Sequence, residues 1–246
     1  MTVEDITSMP TRRRALVLGG TGTVGRAVLA ELARAHVPTA FTYLSSADRA
    51  RALAETGERR ALALDLADLD AVRALAAAFI DADEVPDVVI DCAAVAAPDA
   101  VEDITDELWT RAQRINCQAP FVLCQALAPR WRASGHADVV LVGALDRAQS
   151  LPLPVAFAAT QGMLSGLTMA LAKQLGANGI RVNMVALGLL GEGLSLKVGQ
   201  HLYEDFHRFS ALRRSGTAAE AARFIAWLAL HNQYMNGKVV PVNGGI

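Results

Sequence analysis

Short apolar runs and longer amphipathic segments alternate along the chain from Arg14 onward. The run ALVLGG (15–20) is apolar at nearly every position, which predicts a strand buried on both faces. The segment VGRAVLAELARAH (24–36) instead carries its apolar residues at helical spacing and predicts the first helix. This alternation is typical of right-handed βαβ crossovers in a parallel sheet.

The alternation continues to the C-terminus and predicts the remaining elements. We expect strands within 38–44, 59–66, 86–94, 137–145, 179–187 and 238–243, and helices near 46–56, 68–80, 105–133 and 155–177. The irregular segment 189–215 predicts a mobile lid over a site, and residues 1–11 predict a flexible N-terminal arm. Residues 12–246 are therefore predicted to form one α/β domain of the Rossmann type. Its doubly wound parallel sheet would have about seven strands, with helices on both faces.

Composition narrows the class of protein. The chain has 246 residues, of which 52% are hydrophobic, and a net charge of −2 with its basic residues dispersed. One full core is expected, whereas nucleic acid and anionic membranes are not expected partners. No run approaches the roughly 20 uninterrupted apolar residues of a membrane helix, and the N-terminus does not resemble a signal peptide.

The three cysteines, Cys92, Cys117 and Cys124, form no C-x-x-C pair and have apolar neighbours. This pattern predicts reduced core thiols, a cytoplasmic protein and no metal site.

A glycine cluster separates the first predicted strand from the first helix. It reads G-x-x-G-x-x-G, with the residues Gly19, Thr21, Gly22, Thr23, Val24 and Gly25. Glycine here permits positive φ and lets a pyrophosphate reach backbone N–H groups and the positive end of the helix. After the first strand of a βαβ series, this pattern predicts a dinucleotide site. The alternative is that the glycines serve only a tight turn and close helix packing.

The end of the second predicted strand bears on the choice of dinucleotide. The stretch from Tyr43 through Ser45 and Ser46, with Arg49 a turn later, holds no carboxylate that would bind the ribose hydroxyls and repel a 2′-phosphate. NADP is therefore favoured over NAD, although a Ser-Ser pair is also an ordinary helix N-cap.

Further candidates for the cofactor cleft follow later strands. Asp65, with Leu66 beside it, can accept a hydrogen bond from the adenine amino group, but a carboxylate at a strand end is as often a helix cap. Small residues after the fourth strand suit a cleft wall, and Gly188 follows the sixth. The residues after the fourth strand are Asp91, Cys92, Ala93 and Ala94. All of these positions are at carboxyl ends of strands, where open α/β sheets bind ligands.

From about Arg12 to Ile246 the chain resembles the short-chain dehydrogenase/reductase family, and within it the 3-oxoacyl-[acyl-carrier-protein] reductases. The resemblance rests on VLGGTGTVGRAV, DLAD (65–68), RINCQAPF (114–121), GLTMALAKQLGANGIRVNMVALG (166–188) and NGKVVPVNGG (236–245). Two motifs depart from the family pattern. The first glycine gap is one residue shorter, and Asp91-Cys92-Ala93-Ala94 replaces the usual Asn-Asn-Ala-Gly.

The resemblance also implies where catalytic groups belong. In the family a serine binds the substrate carbonyl, a tyrosine donates a proton, a lysine lowers the tyrosine's pKa and holds the nicotinamide ribose, and an asparagine anchors a relay water. The corresponding residues are Ala144, Phe157, Gln161 and Asn116. Only Asn116 matches the family's residue. The other three cannot take over the family's roles, because alanine and phenylalanine have no proton to donate and glutamine has no charge. Ordinary ketoreduction is therefore not expected.

Three functions remain open. The first is a catalytically silent subunit that binds NADPH and pairs with an active ketoreductase acting on chains carried by acyl carrier protein, in fatty acid or polyketide synthesis. Family members associate mainly as tetramers through the two long helices, here near 105–133 and 155–177, and through the last strand. The apolar circumference of 155–177 predicts such a homo- or hetero-oligomer interface.

The other two functions are enzymatic. One is non-redox chemistry in the reused cleft, such as dehydration or isomerisation of an acyl thioester, for which the candidate acid/base groups are Asp146, Glu192, His201 and His207. The other is an atypical NADPH-dependent 3-oxoacyl reductase that takes its proton from water or from a substrate group.

Overall fold

Seven parallel strands form one sheet in the order β3-β2-β1-β4-β5-β6-β7. The computed structural model describes residues 13–96, 100–144, 153–197 and 199–246. The strands are β1 (Ala15–Leu18), β2 (Thr39–Tyr43), β3 (Arg59–Ala63), β4 (Val88–Asp91), β5 (Ala137–Gly143), β6 (Ile180–Leu187) and β7 (Val239–Val242). Each lies inside its predicted segment, so the predicted sheet is confirmed.

Helices cover both faces of the sheet. They are α1 (Thr23–Arg34), α2 (Ala47–Ala54), α3 (Leu69–Asp81), α4 (Asp106–Gln113), α5 (Ala119–Ser134), α6 (Val155–Leu175), α7 (Gln200–Phe209) and α8 (Ala218–His231). A π turn, Arg114–Gln118, joins α4 to α5, so the segment predicted as one helix near 105–133 is helical but not uniformly α. Neither α7 nor α8 was predicted from the sequence, although a capping box between Thr217 and Glu220 starts α8.

Both faces of the central strands are buried, which explains their continuous apolar runs. On one face Leu16 and Leu18 pack in a cluster with Trp131 of α5. On the other face Val17 packs in a cluster with Ile225 of α8. Because successive strand residues point to opposite faces, each strand contributes to two cores.

A group of buried charges joins the amino ends of several strands. Asp138, at the start of β5, has a side chain that is 3% exposed. Arg181 of β6 approaches both of its oxygens, with Nε 2.7 Å from Oδ1 and Nη2 2.8 Å from Oδ2. Arg13 donates to the same carboxylate at 2.8 Å and to Asp87 at 3.0 Å. One carboxylate therefore links β6 with the segment that enters β1.

One helical stretch, Val155–Asn178, is long and apolar enough to cross a membrane by length and composition. It consists of α6 and the turn that follows, and it is interrupted by polar residues such as Gln161. Half of its most apolar window is buried within the protein, as in a core helix.

The predicted lid, 189–215, contains a 3₁₀ turn (Gly193–Lys197) and α7. Leu202 and Phe206 of α7 are buried and pack in a cluster with Leu189. The segment is therefore more regular than predicted, and its mobility stays a prediction. The predicted N-terminal arm lies outside the described residues.

Candidate functional site

A cavity of about 820 Å³ opens at the carboxyl ends of the strands. Its wall contains most of the residues that the sequence nominated for a cofactor, namely Gly19, Thr21, Gly22, Thr23, Val24, Tyr43, Ser45, Asp65, Leu66, Cys92, Ala93, Ala94 and Gly188. It also contains Ala144, Phe157 and Gln161. Of the other described candidates, Gly25, Ser46 and Asn116 lie outside this wall.

The three glycines of the motif have different roles. Gly19 has a φ of +71°, and a Cβ there would lie 2.9 Å from the Cα of Ala93. A Cβ on Gly25 would lie 2.3 Å from the carbonyl oxygen of Gly19, so Gly25 serves close packing of α1 against the turn. Gly22 is the N-cap of α1 and lines the cavity, where the helix start has no side-chain cap and no acidic residue in its first turn. The arrangement leaves the positive end of α1 facing the cavity.

Ser46 is the N-cap residue of α2, but its side chain makes no capping hydrogen bond. The ordinary capping explanation for the Ser-Ser pair therefore does not apply to Ser46. One turn later, Arg49 Nη1 lies 3.5 Å from the carbonyl oxygen of Thr21, which lines the cavity. A cation is thus placed beside the glycine turn, at the end of β2.

Asp65 is not the cap of α3, because Asp68 accepts hydrogen bonds from the N–H groups of Asp70 and Ala71. Asp65 instead accepts from the N–H of Ala67 at 2.9 Å and pairs with Arg111. The adjacent Arg111 also lines the cavity and was missed by sequence analysis. Its helix is remote from β3 in the sequence, and no motif marks it.

Asp91 ends β4 and is 1% exposed. It accepts a hydrogen bond from the N–H of Ala93 at 3.0 Å. Burial raises the pKa of Asp91 to about 7, although that hydrogen bond acts in the opposite direction. Burial, together with the charge of Asp91, also raises the pKa of the neighbouring Cys92 thiol well above its usual range. Cys92 is therefore a protonated thiol at neutral pH, and a poor nucleophile.

We expect Asp91→Asn to change the pH dependence of stability. An aspartate titrates near pH 3.9 when unfolded, so the folded chain binds more protons between about pH 4 and pH 7 and loses stability as the pH rises through that window. Asparagine keeps an acceptor for Ala93 but does not ionise. In urea unfolding, the free energy of unfolding of the variant should therefore rise relative to that of the wild type from about pH 4 to pH 7. A difference in free energy that stays constant across this range would contradict the raised pKa of Asp91.

Three of the positions that correspond to the family's catalytic residues lie together at one wall of the cavity. Ala144 follows β5, Phe157 lies in the first turn of α6, and Gln161 lies one turn further and is 2% exposed. The Oε1 of Gln161 accepts the backbone N–H of Ala144 at 3.1 Å. A Cβ on Gly143 would lie 2.5 Å from this oxygen, so the glycine leaves room for the carboxamide. Gln161 therefore holds the end of β5 against α6.

Asn116 lies behind this wall, in the π turn. Its Oδ1 accepts the N–H of Val95 at 2.8 Å, and its Nδ2 donates to the carbonyl of Val95 and to Thr160 Oγ1, both at 2.9 Å. Both amide hydrogens are thus engaged within the protein. The side chain fastens the loop after β4 to α6, and a π turn of this kind is frequent at functional sites.

Of the candidate acid/base groups that the structure describes, not all reach the cavity. Asp146 lies outside the described residues, and His207 Nε2 lies 2.9 Å from Ser215 Oγ, away from the cavity wall. Glu192 lines the cavity, but its Oε1 accepts the N–H of Ala218 at the start of α8. His201 also lines the cavity. Among the described residues, no three His, Cys, Asp or Glu side chains could hold a metal ion together.

Comparisons with known sequences agree with this architecture. The family described as "Enoyl-(Acyl carrier protein) reductase" matches residues 20–246. The 3-oxoacyl-[acyl-carrier-protein] reductase FabG of Staphylococcus aureus (strain Mu50) is 25% identical over 244 residues, covering 97% of this chain and 99% of the relative. The uncharacterized oxidoreductase YghA of Escherichia coli (strain K12) is 31% identical over 244 residues, covering 95% and 82%.

Solved structures show the same fold. A blue fluorescent protein from a metagenomic library, in complex with NADPH, matches with a TM-score of 0.84 and 29% identity over 95% of this chain and 97% of that one. A short-chain dehydrogenase/reductase from Serratia marcescens matches with a TM-score of 0.82 and 27% identity, at the same coverage. The likeness extends over nearly the full length of both proteins.

Proposed function

The chain belongs to the short-chain dehydrogenase/reductase family, and on that premise we propose that it binds NADPH in the cavity without performing the ketoreduction of its relatives. Its function would then be that of a non-reducing subunit, associated with an active ketoreductase that acts on carrier-bound acyl chains. Three sets of observations support the proposal, of which the wall formed by Ala144, Phe157 and Gln161 carries it.

The proposed binding of NADPH is supported by the glycine cradle, formed by Gly19, Gly22 and Gly25, and by a solved structure of the same fold. The uncapped start of α1 faces the cavity beside Gly22, which suits a pyrophosphate. A solved structure of the same fold, 29% identical, is in complex with NADPH. A 2′-phosphate is favoured because Arg49 lies beside the glycine turn and the end of β2, Tyr43 to Ser46, contains no carboxylate. When bound, NADPH would bring a transferable hydride to the cavity, and the chain's own residues would hold the cofactor without completing a ketoreduction.

The non-reducing part is supported by what the wall lacks. Ala144 and Phe157 carry no side-chain hydrogen that could be donated to a carbonyl oxygen. The amide oxygen of Gln161 is committed to the N–H of Ala144, and its carboxamide has no charge with which to lower the pKa of a neighbour. Loss of a positioned general acid alone lowers rates by about 10²–10⁴-fold.

The partner is supported by exposed apolar side chains along the helices that the family uses for association. These are Leu108, Phe121, Val155, Met163 and Met169 on α4, α5 and α6, each at least one-third exposed. The proposal requires these side chains to form a continuous apolar surface, since contiguous exposed patches rather than single side chains mark association sites. The ketoreductase is chosen as partner because a 3-oxoacyl-[acyl-carrier-protein] reductase is among the relatives.

The proposal is tested by measuring NADPH binding and NADPH oxidation on the same protein. We expect the fluorescence of NADPH to titrate on addition of the protein, and Gly22→Asp to abolish the change, because it places a carboxylate in the cradle while its Cβ meets only one atom, at 3.2 Å. With an acetoacetyl thioester, NADPH oxidation should stay at least about 10²-fold below that of an active ketoreductase.

Turnover at a normal rate would contradict the non-reducing proposal and favour an atypical reductase. Absence of NADPH binding would contradict the cofactor part. Light scattering on the same sample, alone and mixed with an active ketoreductase, tests the association.

A further inference from the structure

An ion pair crosses the cavity wall at the end of β3. Arg111 of α4 places Nη1 3.3 Å from Asp65 Oδ2 and Nη2 3.4 Å from Asp65 Oδ1. Both residues line the cavity, and Asp65 follows β3, which lies beyond β2 on one side of β1. In the proposed NADPH site, the glycine motif at the end of β1 takes the pyrophosphate and the end of β2 takes the adenosine ribose, so the purine would reach the end of β3.

The pair is loose enough to admit a ligand group. Charge-assisted N–H···O contacts are ordinarily about 2.7–2.9 Å long, so both contacts here are longer than usual. The side chains of Arg111 and Asp65 are 43% and 37% exposed, and such exposed pairs contribute little to stability. A purine edge that approaches this pair therefore meets a carboxylate acceptor and a guanidinium donor together.

The two members of the pair favour different purines. A carboxylate accepts from the 6-amino group of adenine and repels a 6-oxo group, whereas a guanidinium has only donors and favours the 6-oxo group. At the 6-position itself, Asp65 alone would therefore favour adenine. With Arg111 beside it, a 6-oxopurine also finds a charged donor in place of an unpaired carboxylate.

We propose that Arg111 and Asp65 together bind the 6-position of the cofactor's purine, and that Arg111 makes the site accept a hypoxanthine dinucleotide as well as an adenine one. The inference rests on the proposed NADPH site. It assigns to Arg111 a role in specificity, independent of the nicotinamide chemistry.

The test compares two dinucleotides on two arginine variants. Affinities for NADPH and for reduced nicotinamide hypoxanthine dinucleotide phosphate are measured by titration of nicotinamide fluorescence. In the wild type we expect dissociation constants within about threefold of each other, since each base finds a charged partner. In Arg111→Met the hypoxanthine form should lose affinity relative to NADPH by about tenfold or more, because a hydrogen bond to a charged donor is lost.

Arg114→Met is the matched control. Arg114 lies on the adjoining π turn and reaches the same loop, with Nη1 3.4 Å from the carbonyl oxygen of Ala67, but it lies outside the cavity wall. Its ratio of affinities should equal that of the wild type. An unchanged ratio in Arg111→Met, or a wild type that already prefers NADPH tenfold, would overturn this inference while leaving the proposed function intact. If neither dinucleotide binds the wild type, both proposals are overturned.

Discussion

Ala144→Ser, Phe157→Tyr and Gln161→Lys, introduced together, are expected to raise NADPH-dependent reduction of a 3-oxoacyl thioester by at least about 10²-fold over the wild type. Phe157 already lines the cavity, so the tyrosine hydroxyl would be added at the cavity wall. Position 161 follows one helical turn later on α6, where a lysine can reach the tyrosine. Ala144 completes the same wall and gains only a hydroxyl.

The substitutions should act as a unit. Each substitution alone is expected to raise the rate of reduction only slightly, because the effects of groups that cooperate in one step are strongly non-additive. The double variant Ala144→Ser with Phe157→Tyr is the matched control, since it supplies the hydroxyls without the lysine. Stability has to be measured beside activity, because Gln161→Lys removes the acceptor for the partly buried N–H of Ala144, and a fully buried unpaired N–H would cost about 1–3 kcal/mol. A folded triple variant that binds NADPH and stays inert would show that the cavity differs from a ketoreductase site beyond these positions.

The largest loss of stability is expected for Asp138→Ala. Its carboxylate is almost fully buried and faces Arg181 and Arg13 together. Removing one partner of a buried ion group leaves uncompensated charge and costs about 3–5 kcal/mol. Because Arg13 and Arg181 remain partly exposed, we expect a decrease of about 3 kcal/mol in the free energy of unfolding, measured by urea denaturation.

Asp48→Ala serves as its control. Asp48 pairs with Arg51 at 3.4 Å on the surface of α2, and both side chains are largely exposed. Such pairs contribute well under 1 kcal/mol, so the midpoint of unfolding should hardly move. Equal losses in the two variants would mean that burial of the Asp138 cluster has no special effect on stability.

The cofactor candidates illustrate what local pattern can predict. Gly19, Gly22 and Ala93 were identified because the βαβ alternation predicts parallel strands, and parallel strands bring their carboxyl ends to one edge of the sheet. That these residues lie close together could be predicted without knowing any side-chain contact. The role of Gly25 could not be assigned in this way, since only the distance to the Gly19 carbonyl separates packing from ligand contact.

The charged pairs illustrate the opposite case. Asp138 reads as part of an apolar strand, and its partners lie 43 and 125 residues away in the chain. Arg111 lies 46 residues from Asp65, and Gln161 lies 17 from the N–H it binds. Nothing in a local window marks such pairs, because each depends on how elements distant in the chain pack together.

The sequence by itself determined the parallel sheet and the glycine motif, because these follow from hydrophobic period and motif spacing, whereas the residues at positions 144, 157 and 161 stood out only through the family resemblance. Only the tertiary structure decided that Gln161 binds the end of β5, that Asn116 has both amide hydrogens engaged, and that Arg111 accompanies Asp65. Hydrogen bonds and ion pairs act over about 3 Å, and only the packed fold brings distant residues that close.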